Sequence, residues 1–324
     1  MITARPGFIV WLCTARCNRS CFHCYVRGRF SAELGTREAE RLIEEMVSLR
    51  PGFISVTGGE PLVRDDIFHL LGYIRNMGPY VGIVTNGSLL DREVAARLNR
   101  LDVYVSLSFD AATKETCELI RGQGAWDKIM AAARFLKECD VPFNPVMTIT
   151  SLNFHEAGDF VRLSAELGSN HASLIPLIPS GNASVRLMPT PSNIVSAVKS
   201  VEDAAEENGI SVSLWCTPFA QAFVNSPYVH PGSCSDLSMD VDPLGNVLLC
   251  DVLDFKLGNV LEEGGKQAWR KMRANPVYKE FKDVSKLVGK CKTCTFKQTC
   301  RGGCKARSYL THGSFSTPDP LCPL

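Results

Sequence analysis

The sequence predicts an α/β protein in two parts: parallel β/α units over residues 1–216, then a small cysteine-rich domain over 217–324. Two observations predict this. Apolar, β-prone runs alternate with helix-periodic runs six times, the pattern of parallel strands joined by right-handed crossovers. From residue 217 onward the helical periodicity weakens and cysteines crowd in. Six units are too few for a full eightfold barrel.

Residues 8–12, FIVWL, are apolar and β-prone and read as the first strand. Residues 32–49 carry Leu34, Ala39, Leu42, Ile43 and Met46 on one side of a helix. Strand 53–57 ends in Gly58-Gly59-Glu60-Pro61, and Asp65 and Asp66 open the next helix near its positive end. Strand 81–85 ends in Asn86-Gly87. A short helix, 91–98, leads to strand 103–108. Helical stretches 112–119 and 126–138 precede strand 144–150, and helix 153–167 leads to strand 172–178. Pro176, Pro179, Gly181, Pro189 and Pro191 punctuate a loop before helix 192–208. Segment 212–215 adds an edge strand and ends the first domain. Segments 237–242 and 247–249 read as a β-hairpin about Pro243-Leu244-Gly245-Asn246.

Composition narrows the class. The apolar fraction of 45% is ordinary for a globular protein, and no apolar run reaches the 18 or so residues of a membrane span. The N-terminus carries no secretory pattern, so fourteen cysteines in tight groups point to metal or cluster ligation in a reducing cytoplasm. Net charge is +1, but residues 266–307 hold thirteen Lys/Arg against two acids, while 1–265 hold 22 against 31. A basic tail can mean nucleic acid. Compensation of anionic cysteine-ligated clusters accounts for it better, with docking of an acidic substrate or electron donor as a second use.

Chemistry concentrates at Cys17-x3-Cys21-x2-Cys24, on the loop that leaves the first strand. Loops at the C-terminal ends of strands are where α/β proteins place chemistry. A [4Fe–4S] cluster normally takes four cysteines, so three leave one iron open to a small molecule. A structural zinc site wants four closed ligands, and only His23 is at hand as the fourth. In the second domain Cys234 and Cys250 flank Gly245, and Cys291-x2-Cys294-x5-Cys300-x3-Cys304 is followed by Cys322. A pair of zinc ribbons is the alternative there. Cys13, Cys117 and Cys139 read as small buried hydrophobes.

The triplet after a first strand resembles the signature of the radical S-adenosylmethionine (SAM) superfamily, with His23 where members usually have an aromatic residue. The seven later cysteines resemble the SPASM domain. The resemblance covers nearly the whole chain and implies a partial (β/α)6 TIM-like barrel followed by a SPASM domain. It implies a cluster on Cys17, Cys21 and Cys24 that chelates SAM and cleaves it reductively to a 5′-deoxyadenosyl radical. It implies an auxiliary cluster I on Cys234, Cys250 and Cys304 and a cluster II on Cys291, Cys294, Cys300 and Cys322, three [4Fe–4S] clusters in all. The fourth ligand of cluster I is left as Cys216, seventeen residues upstream of Cys234, or as an open iron.

The same resemblance places Gly58, Gly59, Glu60 and Pro61 at the SAM amino group. Thr85, Asn86, Ser106, Ser108 and Asp110 then lie at strand ends facing SAM, and Arg121 at its carboxylate. Asp251, directly after Cys250, matches a proposed proton acceptor. The implied activity is oxidative modification of a peptide or protein side chain, fed by a small acidic flavodoxin- or ferredoxin-type donor. The alternative substrate is a haem-like tetrapyrrole or another cofactor precursor. The chain starts within sixteen residues of its first ligand, without the N-terminal peptide-recognition domain of many peptide-modifying members, which weighs against a leader-peptide system. A non-catalytic iron–sulfur or zinc scaffold is the reading from another class; GGEP and the open triplet argue against it.

Overall fold

Alternating burial along the strands sets the architecture. In β4 (Val103–Ser108) Val103, Val105 and Leu107 are buried, while Tyr104, Ser106 and Ser108 on the opposite face are half-exposed. One face packs under helices and the other turns to a concave, partly polar side. The computed structural model describes residues 5–324. In chain order the strands are β1 (Phe8–Thr14), β2 (Phe53–Gly58), β3 (Tyr80–Thr85), β4, β5 (Phe143–Ile149), β6 (His171–Pro176), β7 (Ser211–Leu214) and β8 (Val229–Pro231). The second region adds β9 (Ser238–Val241), β10 (Asn246–Leu248) and β11 (Lys256–Asn259).

The sheet order is β11-β10-β9-β1-β2-β3-β4-β5-β6-β7-β8. Strands β1 to β8 are parallel in sequence order, and β9 runs parallel to β1 on its other side. The hairpin β9–β10 and strand β11 are antiparallel. Since β8 and β11 are its outermost strands, the sheet is an open barrel. The six units stand as read, with one correction at the edge. Segment 212–215 is not the edge strand: β7 pairs with β8, three residues ending in Pro231, too short to carry a period.

The helices of the first region are α1 (Thr36–Ser48), α2 (Ile67–Asn76), α3 (Arg92–Arg100), α4 (Lys114–Arg121), α5 (Ala125–Glu138), α6 (Ala157–Glu166) and α7 (Pro191–Asn208). Helix α1 buries Ala39, Leu42, Ile43 and Met46, four of the five apolar positions the periodicity picked. Each of the three larger side chains contributes about 1.5–3 kcal/mol on full burial. Helix α7 starts at a capping box between Thr190 and Asn193 and stops at Gly209, which is left-handed.

The second region is more helical than its weak periodicity suggests. It holds α8 (Val260–Glu263), α9 (Gly265–Ala274), α10 (Pro276–Lys282), α11 (Lys297–Cys300) and α12 (Lys305–His312). The helices are short and Lys/Arg-rich, with only two to four buried residues each in α9 and α10, so the apolar stripe is thin. Helix α12 is joined to the barrel by Arg307, which is fully buried. Its guanidinium donates to the carbonyls of Pro176 and Leu177 at the end of β6, at 3.0 and 3.1 Å, and to Asp319 at 2.6 Å.

Arg307→Met would leave the buried Asp319 carboxylate without its counter-ion. The expected loss is about 3–5 kcal/mol of stability. It is read as a lower urea midpoint at unchanged slope. Arg307→Lys should recover only part, because a single ammonium cannot span the three acceptors. An unchanged midpoint in Arg307→Met would show that the clamp holds nothing.

Candidate functional site

The loop after β1 carries the three cysteines to the mouth of the barrel. Cys17 is exposed, and Cys21 and Cys24 are half-buried. The loop is bound from both sides. Asn182 N–H donates to the Cys24 carbonyl at 2.9 Å, and the Asn86 side chain donates to Asn18 Oδ1 at 3.0 Å. Asn86 Nδ2 also lies 3.8 Å from Cys17 Sγ. Glycine is required beside this loop by packing on protein: a Cβ at Gly58 would sit 2.2 Å from the Thr14 carbonyl oxygen, and one at Gly59 would sit 2.1 Å from that of Arg16. The reason for the glycine pair is therefore close approach to the end of β1, where the sequence suggested approach to a ligand.

Several predicted contact residues prove to be internally committed. Glu60 is fully buried and accepts from Leu62 N–H (3.1 Å), Thr85 Oγ1 (2.8 Å) and Asn86 N–H (2.7 Å). Burial pushes its carboxyl up, against those hydrogen bonds. Thr85 is spent on Glu60 and on Gly87 N–H. Asp110 is 1% exposed, sits at a left-handed φ of 71°, and accepts from Thr148 N–H at 2.6 Å. Its Oδ2 meets Arg121 at 2.6 Å and His23 Nε2 at 2.9 Å. Burial would raise the Asp110 carboxyl, but Arg121 and His23 outweigh it and hold it well below the ordinary carboxylate range. Glu60, Thr85 and Asp110 are thus held in place by internal hydrogen bonds and ion pairs.

Residue types fit a polar ligand there. His23 Nδ1 and Arg121 Nε are buried and have no hydrogen-bond partner among the described residues. An orphaned buried polar atom is costly unless something fills it. Ser106 donates to Asn144 at 2.9 Å, and Asn144 donates to Ser173 at 2.8 Å, a polar row across β4, β5 and β6. Ser108 ends β4, half-exposed. The His23–Asp110–Arg121 cluster was not foreseen. The one signal was a histidine in the place of the usual aromatic.

A second junction lies between the cluster loop and the end of β10. Tyr25, directly after Cys24, lies beside Thr57 and Asp251. Asp251 N–H donates to Asp240 at 2.8 Å, and Cys250 Sγ lies 3.5 Å from Asp251 Oδ1. Ligand atoms of Asp240, Cys250 and Asp251 lie within 4.8 Å of one another. Arg29 reaches over to the Asp251 carbonyl at 2.6 Å and to Asp254 at 2.9 Å. Burial raises the carboxyls of Asp251 and Asp240 and the phenol of Tyr25.

The remaining cysteines form two groups. Cys291, Cys294, Cys300 and Cys322 line one cavity of about 260 Å3, rimmed by Lys290 and Lys297. A metal–sulfur cluster suits such a space and donor set. Cys234, Cys250 and Cys304 face one another near the hairpin, with Cys304 Sγ capping α12 by accepting from Arg307 N–H at 3.4 Å. Cys216 lies beside this second group, near Cys234 and Cys304. The nearby Cys216 thiol, with Lys282 and Arg301, lowers Cys234 to about 7 against its burial. None of the fourteen cysteines is joined in a disulfide. Cys13 and Cys117 are fully buried as expected, whereas Cys139 is only half-buried at the end of α5.

An open parallel barrel with a cysteine triplet at its mouth and cysteine groups beyond it defines a class of cluster-bearing barrel enzymes. The chain belongs to the radical SAM superfamily: that family's model matches residues 11–164, and the SPASM iron–sulfur cluster-binding domain matches 233–295. It is 28% identical to the AdoMet-dependent heme synthase of Methanosarcina barkeri, over 99% of this chain and 97% of that protein. It is 30% identical to the mycofactocin maturase MftC of Mycobacterium ulcerans, over 98% of this chain and 88% of that protein. In fold it is similar to Streptococcus suis SuiB bound to S-adenosylmethionine, with a TM-score of 0.80 at 18% identity, covering 99% of this chain and 78% of that one. The protein is a radical SAM/SPASM enzyme that uses SAM and iron–sulfur clusters. Among the described residues no helix is long and apolar enough to cross a membrane.

Proposed function

We propose that this enzyme oxidises a side chain of a peptide or protein, with three [4Fe–4S] clusters and SAM as its cofactors. When bound, the reduced cluster on Cys17, Cys21 and Cys24 would supply the electron that cleaves SAM to a hydrogen-abstracting 5′-deoxyadenosyl radical. Gly58, Gly59 and Pro61, with Asn86, Ser106 and Ser108, would contact SAM, and Arg121 would offer its unpartnered Nε to the SAM carboxylate. Glu60, Thr85 and Asp110 would act as positioning residues, because their polar atoms are already committed. Cys234, Cys250 and Cys304 would hold auxiliary cluster I, and Cys291, Cys294, Cys300 and Cys322 cluster II.

One observation carries the oxidative reading. Asp251 directly follows a cysteine of cluster I, with Cys250 Sγ 3.5 Å from its Oδ1, and lies beside Tyr25, the neighbour of Cys24. A carboxylate there can accept the proton lost when a substrate radical is oxidised, beside the group that takes the electron. The peptide assignment draws on the maturase relatives. The heme synthase relative, matched over 97% of its length, favours a tetrapyrrole side chain as the second reading. Anaerobic turnover with deuterated candidates separates them: deuterium should enter 5′-deoxyadenosine from a peptide, and transfer from a porphyrin alone would replace the first reading by the second.

The free thiols suit a reducing cytoplasm. The lysines rimming the cavity of cluster II suit an acidic flavodoxin- or ferredoxin-type donor. Donor-limited turnover should fall with rising salt, since surface attraction is screened over about 10 Å at 0.1 M. A flat response would leave the basic segment with charge compensation only.

A further inference from the structure

We infer that Lys305 sets the reduction potential of auxiliary cluster I, as a buried cation placed between the two auxiliary cysteine groups. The inference rests on the three-cluster reading above and adds to it a residue that is not a ligand. Cys234 of the first group and Cys300 of the second line one small cavity of about 20 Å3, together with Lys282, Arg301 and Lys305. Lys305 opens α12, directly after Cys304, and is 5% exposed. A lysine is almost never so deeply buried unless it is paired.

Cations outnumber acids around this cavity. Asp236 is shared by two of them, Arg301 at 3.0 Å and Lys282 at 3.2 Å. Lys305 has no carboxylate partner among the described residues. Its Nζ donates to the Asp283 backbone carbonyl at 3.0 Å, while the Asp283 side chain accepts from Ser285 N–H and Oγ. A buried ammonium without a counter-ion is costly. Burial brings it down to about 8, so it still carries its charge at neutral pH. The negative charge it lacks is what a thiolate-ligated cluster on Cys234, Cys250 and Cys304 would supply.

The placement has a redox consequence. Reduction adds one negative charge to a cluster, and a buried cation beside it favours the reduced form. Lys305 thus holds cluster I at a higher potential, which suits an acceptor of the substrate's electron. An exposed lysine of the same basic segment, such as Lys266, is screened by water and ions and contributes little.

The test uses full-length, anaerobically reconstituted protein with SAM, titrated potentiometrically at neutral pH and read by EPR. Lys305→Gln removes the charge but can still donate to the Asp283 carbonyl; Lys305→Met removes both. Each should keep the iron content of wild type and move the midpoint of one auxiliary cluster to lower potential, with that of the triplet cluster unchanged. Lys266→Met, which removes the same charge from the surface, should move neither. Unchanged auxiliary midpoints in Lys305→Gln overturn the proposal, and so does an equal shift in Lys266→Met. Loss of about four iron per chain by Lys305→Gln also overturns it, by making Lys305 a support of the cluster site. If neither neutral variant folds, Lys305→Arg decides: it keeps the charge, so a wild-type midpoint supports the proposal and a lowered one overturns it. A wild-type chain with only about four iron would instead end the three-cluster reading, a distinct result.

Discussion

Replacing Cys17, Cys21 and Cys24 together by Ala is expected to remove about four iron per chain and abolish formation of 5′-deoxyadenosine from SAM. No neighbour can substitute for the triplet. His23 points its Nε2 at Asp110. Asn86 and Asn18 are hydrogen-bonded to each other beside Cys17. The auxiliary cysteine groups lie beyond the barrel mouth on other elements, so their iron should survive the change. Iron analysis and chromatographic assay of 5′-deoxyadenosine check this. Cleavage of SAM retained by the triple variant would place the radical cluster elsewhere.

Asp251→Asn is expected to leave all clusters loaded and SAM cleavage intact while cutting product formation by about 10²–10⁴, or roughly 3–5 kcal/mol of barrier. The amide keeps the shape of the side chain. It removes only the ability to take a proton. The backbone of Asp251 is held independently, through its N–H to Asp240 and its carbonyl to Arg29, so the loop should not move. Uncoupled formation of 5′-deoxyadenosine without product is the signature sought. Normal product formation would end the role, and loss of iron would make Asp251 a support for Cys250 instead.

The sequence carried the parts of this site that depend on local spacing. Cys17-x3-Cys21-x2-Cys24 and the later cysteine run needed no knowledge of the fold, and the period of α1 named four residues that the structure buries. What depends on distant chain segments was not legible. Asp110 was read as a strand-end acid facing SAM. Its partners Arg121 and Thr148 come from α4 and β5, and only folding spends its oxygens on them. Thr85 was hidden in the same way by Glu60, from the preceding β/α unit. Strand β8 escaped because three residues ending in proline have no period. Helices α9 and α10 escaped because charged faces dilute a thin apolar stripe, and α12 because Lys305, Arg307 and Ser308, polar residues, make up most of what it buries. Cys216 was visible only as a spare cysteine, since its left-handed backbone and its two sulfur neighbours are properties of the fold.

Iron and sulfide analysis with Mössbauer spectroscopy on the anaerobically reconstituted wild-type chain tests the central claim most directly. Three [4Fe–4S] clusters, about twelve iron per chain, are expected. Stoichiometric zinc with little iron would contradict it.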